Sequence, residues 1–187
     1  MSALDEQIVF EDHFRGKLDE GWSWLRENPD QWRLANGGLE IQVEPGVADT
    51  VKNALVRSAP DRNEGTFAIE VTVTSHMVPT QQYEQAGITW YRDGKAVVKE
   101  VKELIDGNIY IFPGKKPMSD PSVRLRLVVT ATSWEAQYRL VGEDTFHSSA
   151  TGELPPPGED QVSIQGYNGP PNEEHWIRFE DFCIKRL

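Results

Sequence analysis

Val123-Arg124-Leu125-Arg126-Leu127-Val128-Val129 sets Val123, Leu125, Leu127 and Val129 on one parity of the chain. A strand turns successive side chains to opposite faces, so this period of two buries one face. Phe67-Ala68-Ile69-Glu70-Val71-Thr72-Val73 repeats the pattern, with Phe67, Ile69, Val71 and Val73 inward. In Gln85-Ala86-Gly87-Ile88-Thr89-Trp90-Tyr91, the inner set is Ala86, Ile88 and Trp90. Gln85, Gly87, Thr89 and Tyr91 take the other face.

Working outward, strands are predicted at Ile8–Phe10, Trp22–Leu25, Trp32–Leu34, Leu39–Val43 and Ala54–Val56. Val97–Leu104 and Asn108–Phe112 follow the Arg92-Asp93-Gly94-Lys95 and Asp106-Gly107 turns as a meander. Val123–Thr130, Trp134–Arg139, Val162–Tyr167 and Trp176–Ile184 complete the set. Asn36-Gly37-Gly38 is a tight turn, because Asn and Gly accept positive φ. Pro155-Pro156-Pro157-Gly158 is a rigid loop that no central strand could hold. Helical turns are expected only at Leu18-Asp19-Glu20 and Pro60-Asp61-Arg62.

Many short strands with polar outward faces fit an all-β, two-sheet antiparallel jelly-roll sandwich spanning residues 1–187 as one domain. An up-and-down barrel is the alternative. Trp90, Ile88, Leu125, Leu127, Ile69, Val71, Ile164 and Phe182 should form the core.

With 187 residues, such a chain can bury a core without disulfides or metals. A net charge of −11 opposes a phosphate backbone, so nucleic acid is not an expected partner. Lys95, Lys99 and Lys102, like Lys115 and Lys116, read as solvated surface. No apolar run is long enough for a bilayer, so no membrane association is expected. Cys183 is the single cysteine and sits in an apolar strand pattern as a small packed residue. The start, Met1 to Glu6, lacks the regions of a signal peptide, which predicts a cytoplasmic protein. A secreted domain whose leader has been removed would read the same. Oligomeric state is left open.

No phosphate-binding loop, dinucleotide fingerprint or nucleophile elbow occurs. His13, His76, His147 and His175 lack metal-ligand spacing. Glu100 and Glu103 differ in parity and should face opposite sides of their strand. No strand carries a spaced Glu-x-Asp-x-Glu run of the kind sandwich-fold glucanases use.

Phe10-Glu11-Asp12-His13-Phe14, Leu18, Trp22-Ser23-Trp24-Leu25-Arg26-Glu27-Asn28-Pro29, Trp32 and Gly37-Gly38-Leu39 resemble the opening of concanavalin A-like domains. Gln85 to Asp93 resembles the central strand and turn of the C-terminal sandwich domains of family 43 β-xylosidases and their stand-alone relatives. Phe179-Glu180-Asp181-Phe182 resembles their closing strand. The resemblance covers nearly the whole chain. It implies a curved sandwich and an accessory or carbohydrate-binding role. A small glycoside hydrolase, or another enzyme acting on a sugar derivative, is the alternative.

A sugar site needs an aromatic plate for the ring and planar hydrogen-bonding groups for the hydroxyls. Gln85, Tyr91, Gln165 and Tyr167 point away from the apolar side of their strands. They are the predicted binding face, closed by Trp24 and Arg26 and extended by Lys102 and Glu103. Asp12 and Asp181, in the first and last strands, are a candidate oxygen site for Ca²⁺. No other cofactor is expected.

Overall fold

The computed structural model describes residues 6–187. Residues 1–5, and with them most of the reading of the chain's start, lie outside the described residues. Fifteen strands follow in order: β1 (Gln7–Asp12), β2 (Ser23–Leu25), β3 (Trp32–Ala35), β4 (Gly38–Gln42), β5 (Ala54–Ser58), β6 (Phe67–Ser75), β7 (Gln85–Arg92), β8 (Lys95–Ile105), β9 (Asn108–Phe112), β10 (Lys116–Pro117), β11 (Ser122–Val129), β12 (Ser133–Leu140), β13 (His147–Glu153), β14 (Asp160–Tyr167) and β15 (Trp176–Arg186). One sheet has eight strands in the order β13-β12-β11-β6-β15-β4-β3, with β1 also paired to β15. The other has seven, in the order β10-β9-β8-β7-β14-β5-β2. Every pairing is antiparallel. Two separate sheets make a sandwich, not a barrel.

Each predicted strand is present, its ends displaced by a residue or two. β13 and the short β10 were not predicted. β13 reads His147-Ser148-Ser149-Ala150-Thr151-Gly152-Glu153, with no apolar alternation, and is a strand because β12 offers it a ladder at the sheet edge. The two expected helical turns are also corrected. Residues 18–20 form no helix, and Pro60-Asp61-Arg62 leads into a plain turn. The one 3-10 turn among the described residues is instead Pro29–Gln31, where the Asn28 side chain accepts from the Asp30 amide.

The core lies between the sheets. All eight predicted core residues are fully buried. Parity also places Glu100 correctly: it faces inward, across from Ile88, while Glu103 faces outward. Trp134 is half-buried against the core, and Trp176 is half-buried beneath the Arg33 guanidinium, outside it.

Arg62 closes one end of the sandwich. Its buried guanidinium donates to Asp160 at 2.7 Å and to the carbonyls of Thr130, Ala131 and Pro155. All three nitrogens of the fork are thereby engaged, which is what a buried arginine requires.

Candidate functional site

β7 and β14 are neighbours in the seven-stranded sheet, with Gln85 opposite Tyr167 and Gly87 opposite Gln165. That register brings Gln85, Thr89, Tyr91, Gln165 and Tyr167 onto one outer face, joined by Lys99 and Glu103 from β8. The adjacency assumed from the sequence for Gln165 and Tyr167 is therefore present.

The face is not open to solvent. Gln85, Thr89, Tyr91, Glu103, Gln165 and Tyr167 are all buried. Residues 44–53, linking the eight-stranded sheet to β5, fold across it as a lid. The Tyr91 hydroxyl donates to the Ala48 carbonyl at 3.2 Å. Val51 packs with Tyr167 and Val101 in a small apolar cluster of its own. Arg26, just beyond β2, donates through Nε to the Val51 carbonyl at 2.6 Å and through Nη2 to the Ala48 carbonyl at 2.9 Å. It acts as a latch on the lid.

Beneath the lid the polar groups satisfy one another. Gln165 Nε2 donates to the Thr89 hydroxyl at 2.9 Å and to the Tyr91 hydroxyl at 3.0 Å. Gln85 Nε2 donates to Glu103 at 2.7 Å and to the Tyr83 carbonyl at 2.8 Å. Lys99 donates to Gln85 Oε1 and lies 3.7 Å from Glu103. Burial pushes the Glu103 carboxyl up from its ordinary value, against the opposing pull of Lys99 and Gln85. Burial likewise pulls the Lys99 ammonium down, against Glu103.

Beside the lid the face opens into a pocket of about 280 Å³. Val47 and Ala48 wall it on the lid side, Ala96, Val97 and Val98 on the β8 side, and Tyr167 and Asn168 at one end. Gln85, Thr89 and Lys99 supply its polar groups. The Lys99 ammonium stands 5.5 Å from the Tyr167 ring centre and 5.2 Å from that of Phe112. The Tyr167 hydroxyl is buried, and burial raises its pKa against a hydrogen bond from Thr89. Gly87, below, can only be glycine: a Cβ there would lie 2.1 Å from the Glu100 carbonyl oxygen.

Of the predicted binding residues, Gln85 and Tyr167 line this pocket. Tyr91, Gln165 and Glu103 lie behind or beneath the groups that do, and Arg26 holds the lid. Trp24 does not line it; its ring stacks on Trp32 at 4.7 Å. Lys102 points the other way. Its ammonium donates to the carbonyls of Asp120 and Pro121 at 2.6 and 2.8 Å, and burial lowers its pKa to about 8. Its even register on β8 places it with Glu100 rather than with Glu103. Lys99 is the pocket-lining residue that the surface reading of the lysines missed. Its parity with Glu103 was the available signal. Nothing in the sequence pointed to Val47 and Ala48 as pocket walls, because they lie in a loop.

The two aspartates of the proposed cation site have other partners. Asp12 accepts from the amides of Phe14 and Asp19 and from the Trp22 indole, at 2.7 to 2.9 Å. Asp181 accepts from or pairs with His13 Nδ1 at 2.7 Å. No group of three or more His, Cys, Asp or Glu side chains arranged for a metal occurs among the described residues.

No family model and no curated protein matches the chain by sequence. Solved structures do match in shape. The GH43 protein BlXynB of Bacillus licheniformis superposes with a TM-score of 0.73 at 19% identity, over 95% of this chain and 39% of that one. The shared fold is the two-sheet antiparallel β-sandwich. A xylan β-1,4-xylosidase from Bacillus halodurans is similar at TM-score 0.70 and 14% identity, over 94% of this chain and 39% of that one. The chain thus spans about two fifths of these glycosidase chains. A functionally unknown protein from Saccharomyces cerevisiae is similar over nearly its whole length, with a TM-score of 0.59 at 13% identity, covering 89% of this chain and 97% of that one. The resemblance to family 43 sandwich domains read from the aromatic and turn motifs is therefore matched in three dimensions.

Proposed function

We propose that this concanavalin A-like sandwich is a non-catalytic carbohydrate-recognition module, and that the pocket beside the lid is its sugar site. The observation that carries the reading is the pocket itself, where Val47, Ala48, Val97 and Val98 form aliphatic walls beside the partly exposed Lys99 ammonium. Such walls can face the C–H surface of a ring while Lys99 donates to its hydroxyls. The similarity to glycosidase-associated sandwiches is consistent with this use of the fold.

Binding without turnover is favoured by the placement of acids. Glycoside hydrolysis needs two carboxyl groups flanking one bond. No carboxylate lines the pocket among the described residues, and Glu103 stands behind Gln85 and Lys99, committed to both.

A glycan array that includes xylo-oligosaccharides, followed by calorimetry and product analysis, tests the reading. Binding with no new reducing ends or unsaturated products is expected. Lys99→Met should weaken binding roughly fivefold or more, the loss of about one hydrogen bond. Turnover, or binding indifferent to Lys99→Met, would overturn it.

A further inference from the structure

We infer that the lid makes this site selective for the end of a saccharide chain; the inference rests on the carbohydrate reading above. A sandwich that binds the interior of a polymer needs an open groove across its sheet, with room for rings on either side of any one subsite. Here residues 44–53 occupy the ground that such a groove would need. Tyr91 and Gln165, which would otherwise form the continuation of the face, are sealed beneath them. What remains is a pocket of about 280 Å³. That is at the lower limit of small-ligand sites, roughly 300–1,000 Å³, and suits a terminal ring better than a passing chain.

The obstruction is built into the fold at several points. At its base, the Asn168 amide donates to the Gly46 carbonyl at 2.8 Å and the Gly169 amide to the Glu44 carbonyl at 2.9 Å. The fit at Gly169 is so close that a Cβ would fall 1.8 Å from the Val43 carbonyl oxygen. At its crest, the Thr50 and Val51 amides both donate to the Val47 carbonyl, forming a tight turn. Val51 then fills the space over Val101 and Tyr167. Arg26 holds the crest from the β2 side by two charge-assisted bonds, which are about twice as strong as neutral ones. Arg26 and Asn53, beside the lid's return, both adopt positive φ, a conformation non-glycine residues hold only where surrounding contacts over-determine it. Val47 and Ala48 present the resulting wall to the pocket, opposite Ala96 to Val98. The lid thereby sets which part of a glycan can enter, while Lys99 and the aliphatic walls meet the ring that does.

Xylo-oligosaccharides of increasing length, and xylan whose chain ends have been counted, are titrated into the wild-type chain, with the corresponding series for any other sugar the array identifies. Affinity expressed per chain end should stay constant within about twofold from the shortest binder to the polymer. Chemical blocking of the recognised end should reduce binding tenfold or more. An Arg26→Ala variant, and one with residues 47–51 replaced by a short Gly-Ser link, should bind the polymer in growing proportion to its length. Affinity that rises with the number of internal units in the wild-type chain, or survives blocking of each end in turn, overturns chain-end selection while leaving carbohydrate recognition intact. No binding to any saccharide overturns both. If the link variant does not fold, Arg26→Ala carries the comparison, because it removes the latch and leaves the chain length unchanged.

Discussion

At β7 and β14 the seven-stranded sheet is buried on both faces, but by opposite chemistry. Its inner face carries Ala86, Ile88, Trp90, Val162 and Ile164 into the core. Its outer face carries Gln85, Thr89, Tyr91, Gln165 and Tyr167 under the lid, and these are no more exposed. The inner face is held by area removed from water, which is indifferent to direction. The outer face is held by hydrogen bonds that need each partner in place, because a buried polar group without one is costly. The inner face has one exception: Glu100 is fully buried there, and burial holds its carboxyl well above the ordinary carboxylate range.

The largest effect should come from the inner face. Trp90→Ala is expected to destabilise the chain by about 3–5 kcal/mol in urea unfolding, the usual cost of emptying a large aromatic site. On the outer face, Gln165→Ala removes the donor to the Thr89 and Tyr91 hydroxyls and should cost about 1–3 kcal/mol. A loss no greater than that of a surface substitution would show that the lid does not bury this face in solution.

Glu100→Gln tests the inner-face exception through pH. Burial raises the folded carboxyl well above 4.5, so the folded state holds a proton that the unfolded chain releases. The unfolded state binds fewer protons in that interval, and wild-type stability should fall as pH rises from 4.5 toward the folded value. The slope is at most about 1.4 kcal/mol per pH unit. The variant should match the wild type near pH 4 and exceed it near pH 8; parallel curves would show that Glu100 keeps its charge on folding. The smallest effect belongs to Tyr91→Phe, which removes the hydroxyl joining Gln165 to the lid. It should cost about 0.5–1.5 kcal/mol, and a thermal melt can register it.

Period-two alternation was sufficient to place the inner face residue by residue, because apolar burial depends only on which way a side chain points. The same alternation found the outer polar set and, by parity, separated Glu100 from Glu103. It erred on Lys102 because that residue was chosen by closeness in sequence to Glu103, and neighbours on a strand face opposite ways. Trp24 was grouped with the face as a flanking aromatic, yet its strand lies at the far edge of the sheet, where Trp32 takes its ring.

From the sequence alone follow the all-β class, the antiparallel two-sheet arrangement, the core, and the outward direction of Gln85, Tyr91, Gln165 and Tyr167. These rest on local stereochemistry, which each strand carries within itself. Only the tertiary structure decides that β14 lies beside β7, that Arg62 reaches Asp160, and that residues 44–53 fold over the polar face and leave a pocket at its side. Each of these depends on contacts between segments far apart in the chain. A loop carries no periodic signal of where it will come to rest. The position of the lid is set by Arg26, Tyr91 and Gly169, three residues from separate parts of the sequence that meet only in the folded chain.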